Sequence, residues 1–547
     1  MFSDNSSHTD VFEPVSSEQW QAAVEKDLKG IPFKKKLVTH TYEGIDLNPL
    51  YTKGDWDGSA DLSGFAGMAP MTRGSLPLGM HTCGWDIRQE RAEPEADSLN
   101  ARLLDDLEHG VTSVLLRLDA ATRRGVDVNA PASDKLAGLD GAMLPNLEEF
   151  ERAFQGVHLG MIGVALEAGA GALPAAAALA ALCKKQGLSL DKAWLAFNCD
   201  PLAVLARDGM LPGTLEDLYE EMAALSIWAE ANAPRATTIR VGSAPYHHAG
   251  ATAAQDLAFS MATGVEYLRR LTEHGMSVDA AANQMLFSYV VGTNFFLAAS
   301  KLRAARRLWS RIVEASNGSE SAQRMRMHVR TSKRVITQRD PWVNMLRNTV
   351  CCFAAGMVGA DSVTLPGFDA AIGHPSPMSA RIARNTQIIL QEESHLHRVV
   401  DPAGGSWFIE SLTDELAQKA WAIFQEIEWL GGMSVALTTG WIHDQIDSAF
   451  APRAKNIATR RDAVLGVSEF ANVAESKPDP ARYPIDELRE KVRSRLQARK
   501  RADAITGWLD RVRASSGPAR VDAAIAAIGA GVTLGEVSSM LERGEWA

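Results

Sequence analysis

The chain has 547 residues, 46% of them hydrophobic, a formal charge of −11 and five cysteines. That length exceeds one ordinary domain and supplies ample apolar material for a large core, which predicts two or three domains, and the negative charge argues against non-specific nucleic-acid binding. Cys83, Cys183, Cys199, Cys351 and Cys352 form no CxxC pair and no even disulfide set, so they read as small buried hydrophobes in a reducing compartment.

Met1 to Pro14 is polar, contains Asp4, Asp10 and Glu13, and lacks the basic and apolar regions of a secretory signal, so a cytoplasmic location is expected. Ser16 to Lys29 predicts a helix with a Ser16/Gln19 capping box, Trp20, Val24 and Leu28 on one face, and Gly30 ending it. Such a stripe calls for a partner. Lys36 to Tyr51 alternates like a strand pair before the Gly- and Asp-rich loop Gly54 to Gly64, and residues 1–70 together read as an arm lying against another surface.

Short apolar runs then recur with helical segments between them: Val111 to Leu118, Val157 to Leu166, Ala193 to Asn198, Thr237 to Val241, Met285 to Val291, Met325 to Val329, Asp361 to Leu365 and Arg398 to Val400. Patterns such as Leu215 to Ala231 and Gln255 to Leu271 are long enough for crossover helices. Eight strands with helical crossovers predict an α/β fold, a (β/α)8 TIM barrel over residues 71–450, with its site at the C-terminal strand ends. The Ala-rich stretch Gly169 to Cys183 is too short to cross a bilayer, so no membrane partner is expected. Gly169 and Gly171 mimic a dinucleotide loop without its third glycine or downstream acid, and read as helix-entry packing. The His395/His397 pair supplies two ligands, which make no metal site.

Residues 375–413 read PSPMSARIARNTQIILQEESHLHRVVDPAGGSWFIESLT, an amphipathic helix followed by the apolar pair Val399, Val400 and a turn at Asp401 to Gly405. Beyond Phe450 the sequence is charged and Pro-interrupted: residues 451–547 predict a linker around Lys477 to Arg482, a charged helix from Ile485 to Val512 that is exposed, and an Ala-rich helix pair from Val521 to Glu545.

The 375–413 run resembles the catalytic barrel of the methylmalonyl-CoA mutase family, adenosylcobalamin-dependent acyl-CoA isomerases in which ARIARNTQ leads into VDPWGGS. The resemblance continues through Arg324 to Asn344 (RMRMHVRTSKRVITQRDPWVN), Ala249 to Leu268 (AGATAAQDLAFSMATGVEYL) and Thr72 to Gln89 (TRGSLPLGMHTCGWDIRQ), spanning about residues 70–440 in one order. It implies a TIM barrel and, for members carrying their own cofactor, a further flavodoxin-like domain with a DxHxxG motif. None of the 13 histidines here has an aspartate two residues before it. The resemblance therefore implies that adenosylcobalamin is carried by a partner subunit, with no cofactor and no metal on this chain.

Against the family's site pattern the sequence departs at several positions. Where catalytic members read TRGPYPTMYRGRPWTIRQY, this chain keeps Arg73, Arg88 and Gln89 but ends in Glu90, with His81 and Cys83 at two arginine positions; an acid there opposes anion binding and the remaining pair is a reduced phosphate clamp. At the family's Gly-Tyr-His, ungapped alignment from AGAT gives Ala244 and Pro245, while a two-residue slip recruits Tyr246 and His247. The family's SLHTN corresponds to Ser362, Val363, Thr364, Leu365 and Pro366. His328 matches a family site histidine, with Arg330 replacing a glutamine, and both a substrate contact and a satisfied core histidine stay open; Asn344 carries the same ambiguity.

Arg73, Arg88, Gln89, Glu90, His247, His328 and Asn344 are thus degenerate equivalents of substrate-binding positions, and no catalytic residue is expected. The expected function is that of the small, non-catalytic subunit of a heterodimeric mutase interconverting methylmalonyl-CoA and succinyl-CoA, which stabilises the large subunit. Its interface is placed on the arm and the exposed tail. The alternative is a catalytic barrel working with a separate cobalamin-binding chain.

Overall fold

The computed structural model describes residues 13, 15–56, 63–475, 482–498 and 505–541. Eight parallel strands close into a barrel: β1 (Asp86–Arg91), β2 (Ser113–Arg117), β3 (Gly163–Glu167), β4 (Trp194–Cys199), β5 (Thr237–Gly242), β6 (Met285–Val291), β7 (Arg326–Thr331) and β8 (Ser362–Thr364). Ser362 on β8 stands opposite both Asp86 on β1 and His328 on β7, which completes the ring. The expected (β/α)8 fold is the observed one.

One expected strand is not a strand. Arg398 to Val400 lies in a turn and loop, and the first barrel strand is instead Asp86–Arg91. The sequence DIRQER is no apolar run because its inward positions carry Arg88 and Glu90, so hydrophobic patterning passed over it. The runs counted fourth, sixth and seventh in sequence therefore become β5, β7 and β8.

The loop that looked like a strand end is an ion-pair clamp. Asp401, at φ 46° and buried, accepts hydrogen bonds from Arg303 Nε and Nη2, both at 3.0 Å, and from Arg73 Nε at 3.2 Å. Arg303, wholly buried, also gives Nη2 to Glu410 Oε1 at 2.8 Å and Nη1 to Glu410 Oε2 at 3.1 Å. Gly404 is required by close approach, since a Cβ there would come within 2.5 Å of Arg73 Nη2 and Asp401 Oδ2. The clamp ties the segment before β1 to helices Phe295–Ala315 and Trp407–Leu430.

The C-terminal segment is helical, as Ile485–Ala498, Ile505–Ala514, Gly517–Gly529 and Leu534–Ser539. The charged stretch buries only Val492, Leu496 and Val512 among its described residues, whereas the Ala-rich pair after it is largely buried. Val512, Val521, Ile525 and Ile528 join the core cluster that contains the Ala-rich helix Ala172–Lys185, which is buried from Ala172 through Cys183. That helix has no solvent face because Gly517–Gly529 covers it. The expected linker residues Lys477 to Ala481 and the last residues, 542–547, lie outside the described residues, as do 1–12, 14 and 57–62.

The arm helix Ser17–Leu28 has the expected Ser16/Gln19 capping box and no buried residue, and Lys29, at φ 50°, makes the left-handed cap one residue before Gly30. Thr39–His40 pairs antiparallel with Asp46–Leu47. Gly169 and Gly171 form a turn against the Arg123 and Thr122 carbonyls at the entry of Ala172–Lys185, as packing glycines do. Among the described residues no helix is long and apolar enough to cross a membrane.

Removing Asp401 strips Arg303 of one of its two carboxylates. Asp401→Ala is expected to lower unfolding stability by about 1.5–3 kcal/mol, the loss of charge-assisted hydrogen bonds from Arg303 and Arg73, whereas Glu314→Ala, at an exposed pair with Arg311, leaves the denaturation midpoint unchanged. Urea unfolding followed by circular dichroism measures both.

Candidate functional site on the barrel axis

The strand pleat sends alternate residues inward. Leu115, Ala165, Ala196 and Leu286 meet in one small apolar cluster inside the barrel. Beside it the buried Arg88 gives Nε to Ser113 Oγ at 2.7 Å, and the buried His328 holds Ser362 Oγ at 2.9 Å through Nδ1. Burial, reinforced by Arg88, Arg330 and Arg240, pushes the His328 pKa well below the ordinary histidine value, so the ring is neutral.

Toward the C-terminal strand ends the axis is filled by paired charges. Arg330 Nη2 donates to Glu90 Oε2 at 2.5 Å, and Arg117 Nη1 stands 3.8 Å from Glu90 Oε1. Glu167 on β3 is paired with Arg240 on β5, whose Nε also reaches Asp200 Oδ2 at 3.2 Å. Asp200 is held further by the Gly242 amide and by Tyr267 Oη. Burial alone would raise the carboxyl pKa of Glu90 and of Glu167, but Arg330 and Arg117 beside the first and Arg240 and Arg117 beside the second outweigh it, and both lie below the ordinary glutamate value.

The expected site residues divide into two groups. Arg88, Glu90 and His328 meet inside the barrel; Gln89, between the first two on β1, is buried with Oε1 lacking a protein partner and borders the cavity above. Arg73 belongs to the Asp401 clamp instead. His247 sits on the short helix Ala244–Ala249 after β5, where Nε2 meets Ser332 Oγ at 2.9 Å and Nδ1 lies 3.6 Å from Asp256, itself paired with buried Lys301. Asn344 is saturated: Oδ1 accepts from Thr337 N and Oγ1, and Nδ2 donates to the Thr337 and Phe368 carbonyls. Sequence reasoning missed Arg117, Glu167 and Arg240. Their signal was present as single charges at or near the C-terminal ends of the apolar runs SVLLR, GVALE and TTIRVG.

Above the paired charges opens a cavity of about 570 Å³, bordered by Glu90, Glu93, Arg330, Lys333, His374 and Tyr483. The His374 ring packs on Tyr483 with centroids 4.6 Å apart. Among the described residues no group of three or more His, Cys, Asp or Glu is arranged to hold a metal.

The methylmalonyl-CoA mutase family profile matches residues 40–545. The chain belongs to the methylmalonyl-CoA mutase family. It is 41% identical over 505 residues to the methylmalonyl-CoA mutase small subunit of Streptomyces virginiae, covering 89% of this chain and 77% of that one. The small subunit of Propionibacterium freudenreichii subsp. shermanii is 35% identical over 487 residues, covering 86% and 71%. The methylmalonyl-CoA mutase of Rhizobium meliloti is 32% identical over 536 residues, covering 96% and 74%.

The family's reaction is an isomerisation, and the family uses adenosylcobalamin. At this mouth the one bordering histidine, His374, packs its ring edge-on against Tyr483, and the Glu90–Arg330 pair borders the cavity beside it.

Acid titration reads the buried histidines. Burial above all pushes His247 down to about 4, so the folded protein holds the ring neutral while the unfolded chain protonates near 6.5. Stability is therefore full above about pH 6.5 and falls as the pH drops toward 4, on the order of 3 kcal/mol from this residue. His247→Gln is expected to flatten that slope in unfolding measurements between pH 7 and 4.5; an unchanged slope contradicts the assignment.

Proposed function

We propose that this chain is the small, non-catalytic subunit of a heterodimeric, adenosylcobalamin-dependent mutase interconverting methylmalonyl-CoA and succinyl-CoA, and that it stabilises a large subunit carrying the cofactor and the active site. The observation that carries this reading is the filled barrel axis. A CoA thioester is a long anion, and threading it through this barrel would require displacing Arg88 and His328 and separating Glu90 from Arg330 and Glu167 from Arg240. Each separation gives up a charge-assisted hydrogen bond in a largely buried setting, at a cost of about 1.5–3 kcal/mol. The names of the Streptomyces and Propionibacterium relatives support the small-subunit assignment. A reducing, cytoplasmic location is part of the proposal, supported by the five unpaired cysteines.

On this account the chain's residues do no chemistry, and its contribution is interface energy. Turnover of methylmalonyl-CoA with adenosylcobalamin, followed by succinyl-CoA formation, tests it. The chain mixed with a stand-alone corrinoid carrier is expected to be inactive. A one-to-one complex with the large subunit is expected to be active, with a longer half-life at 37 °C than the large subunit alone. Turnover with the carrier alone would instead favour a catalytic barrel whose cobalamin domain is a separate chain.

A further inference from the structure

We infer that the face built on helix Val343–Met357 is the surface that docks the large subunit, an inference that rests on the heterodimer reading above. The helix buries Asn344, Asn348, Cys351 and Cys352 against the barrel. Its opposite face shows Trp342, Leu346, Val350 and Phe353, at spacings of four, four and three, with Leu346 65% and Trp342 54% exposed. Trp342 packs on Phe368 at 4.8 Å within the chain, while Leu346 stays exposed.

The stripe is continuous with more apolar surface at both ends. Arg347 Nη2 donates to the Leu465 carbonyl at 2.7 Å, which brings the loop 465–473 alongside, with Phe470 88% and Val473 97% exposed. At the other end, Phe353 packs on Phe295 at 5.3 Å, Phe295 on Phe296 at 5.2 Å, Phe296 on Phe408 at 5.3 Å, and Phe408 on Tyr51 at 4.9 Å. Eight or so large apolar side chains, each showing about half of roughly 150–200 Å², make on the order of 700 Å². That is more than the roughly 300–600 Å² typical of a monomer's largest patch and close to the ~800 Å² per partner of a stable interface.

The occupant is a folded protein surface. The helix is a ridge, not a groove, so it is ill suited to receive a peptide helix. It carries no lysine, and the Arg347 guanidinium is spent on Thr337, Asn344 and the Leu465 carbonyl, so nothing on the ridge recruits anionic lipid. Tyr51, the last ring in the chain of aromatics, belongs to the N-terminal arm, whose helix Ser17–Leu28 has no fully buried residue. The apolar surface of the ridge therefore runs on to the arm.

Leu346→Arg and Phe470→Asp, tested against Trp429→Arg at an exposed apolar site away from the ridge, decide the matter. Binding of full-length variants to the large subunit is measured by sedimentation velocity, with circular dichroism and thermal melting to check the fold. Both ridge variants are expected to melt like wild type and to bind at least about 30-fold more weakly, while Trp429→Arg binds normally. Ridge variants that bind within twofold of wild type overturn the inference and leave the heterodimer intact. A wild-type chain that forms no complex with the large subunit overturns both. If the ridge substitutions instead abolish self-association of this chain or its binding to anionic vesicles, and leave the large-subunit complex unchanged, the ridge serves a second copy or a membrane and the inference fails.

Discussion

A closed barrel of eight parallel strands has an axis that must be filled, and what fills it decides what the barrel can do. Here the filling is guanidinium against carboxylate: Glu90 with Arg330 and Arg117, Glu167 with Arg240, and Asp200 beneath Arg240. None of these charges is tolerable alone in that environment. Their mutual compensation couples the members, because displacing one weakens the pairing of its neighbours. A substrate that needs the axis competes with the fold itself.

The framework motifs serve a different purpose from the axial ones. In the Asp401 clamp, Arg73 before β1, Arg303 on Phe295–Ala315 and Glu410 on Trp407–Leu430 meet through two carboxylates. That cluster holds the barrel's outer elements to one another and touches no axial residue. A chain can therefore keep the signature of its family in these loops while its interior changes. The small subunits and the mutase among its relatives match it over comparable spans.

The architecture was legible where the burial pattern was simple. Met285–Val291 is buried at every position and was read as a strand, and the Ser16/Gln19 capping box predicted its helix. Legibility failed where side chains served two environments at once. DIRQER alternates charged inward positions with buried outward ones and carries no hydrophobic period, whereas Val399 and Val400 look like a strand but border a loop organised by Asp401. Glu90 was visible as a foreign charge, but its partners Arg117 and Arg330 lie 27 and 240 residues further along the chain, and only the closed sheet brings them together. That Gly517–Gly529 covers the Ala-rich helix Ala172–Lys185 was not legible, because it is a tertiary contact with no local mark.

The central claim is that the axis is closed to a thioester. Isothermal titration of the isolated, folded chain with methylmalonyl-CoA and with succinyl-CoA tests it most directly. No saturable heat at ligand concentrations up to the millimolar range is the predicted result. A one-to-one isotherm with micromolar affinity, lost on shortening the acyl-pantetheine end but not on removing the nucleotide, would contradict it.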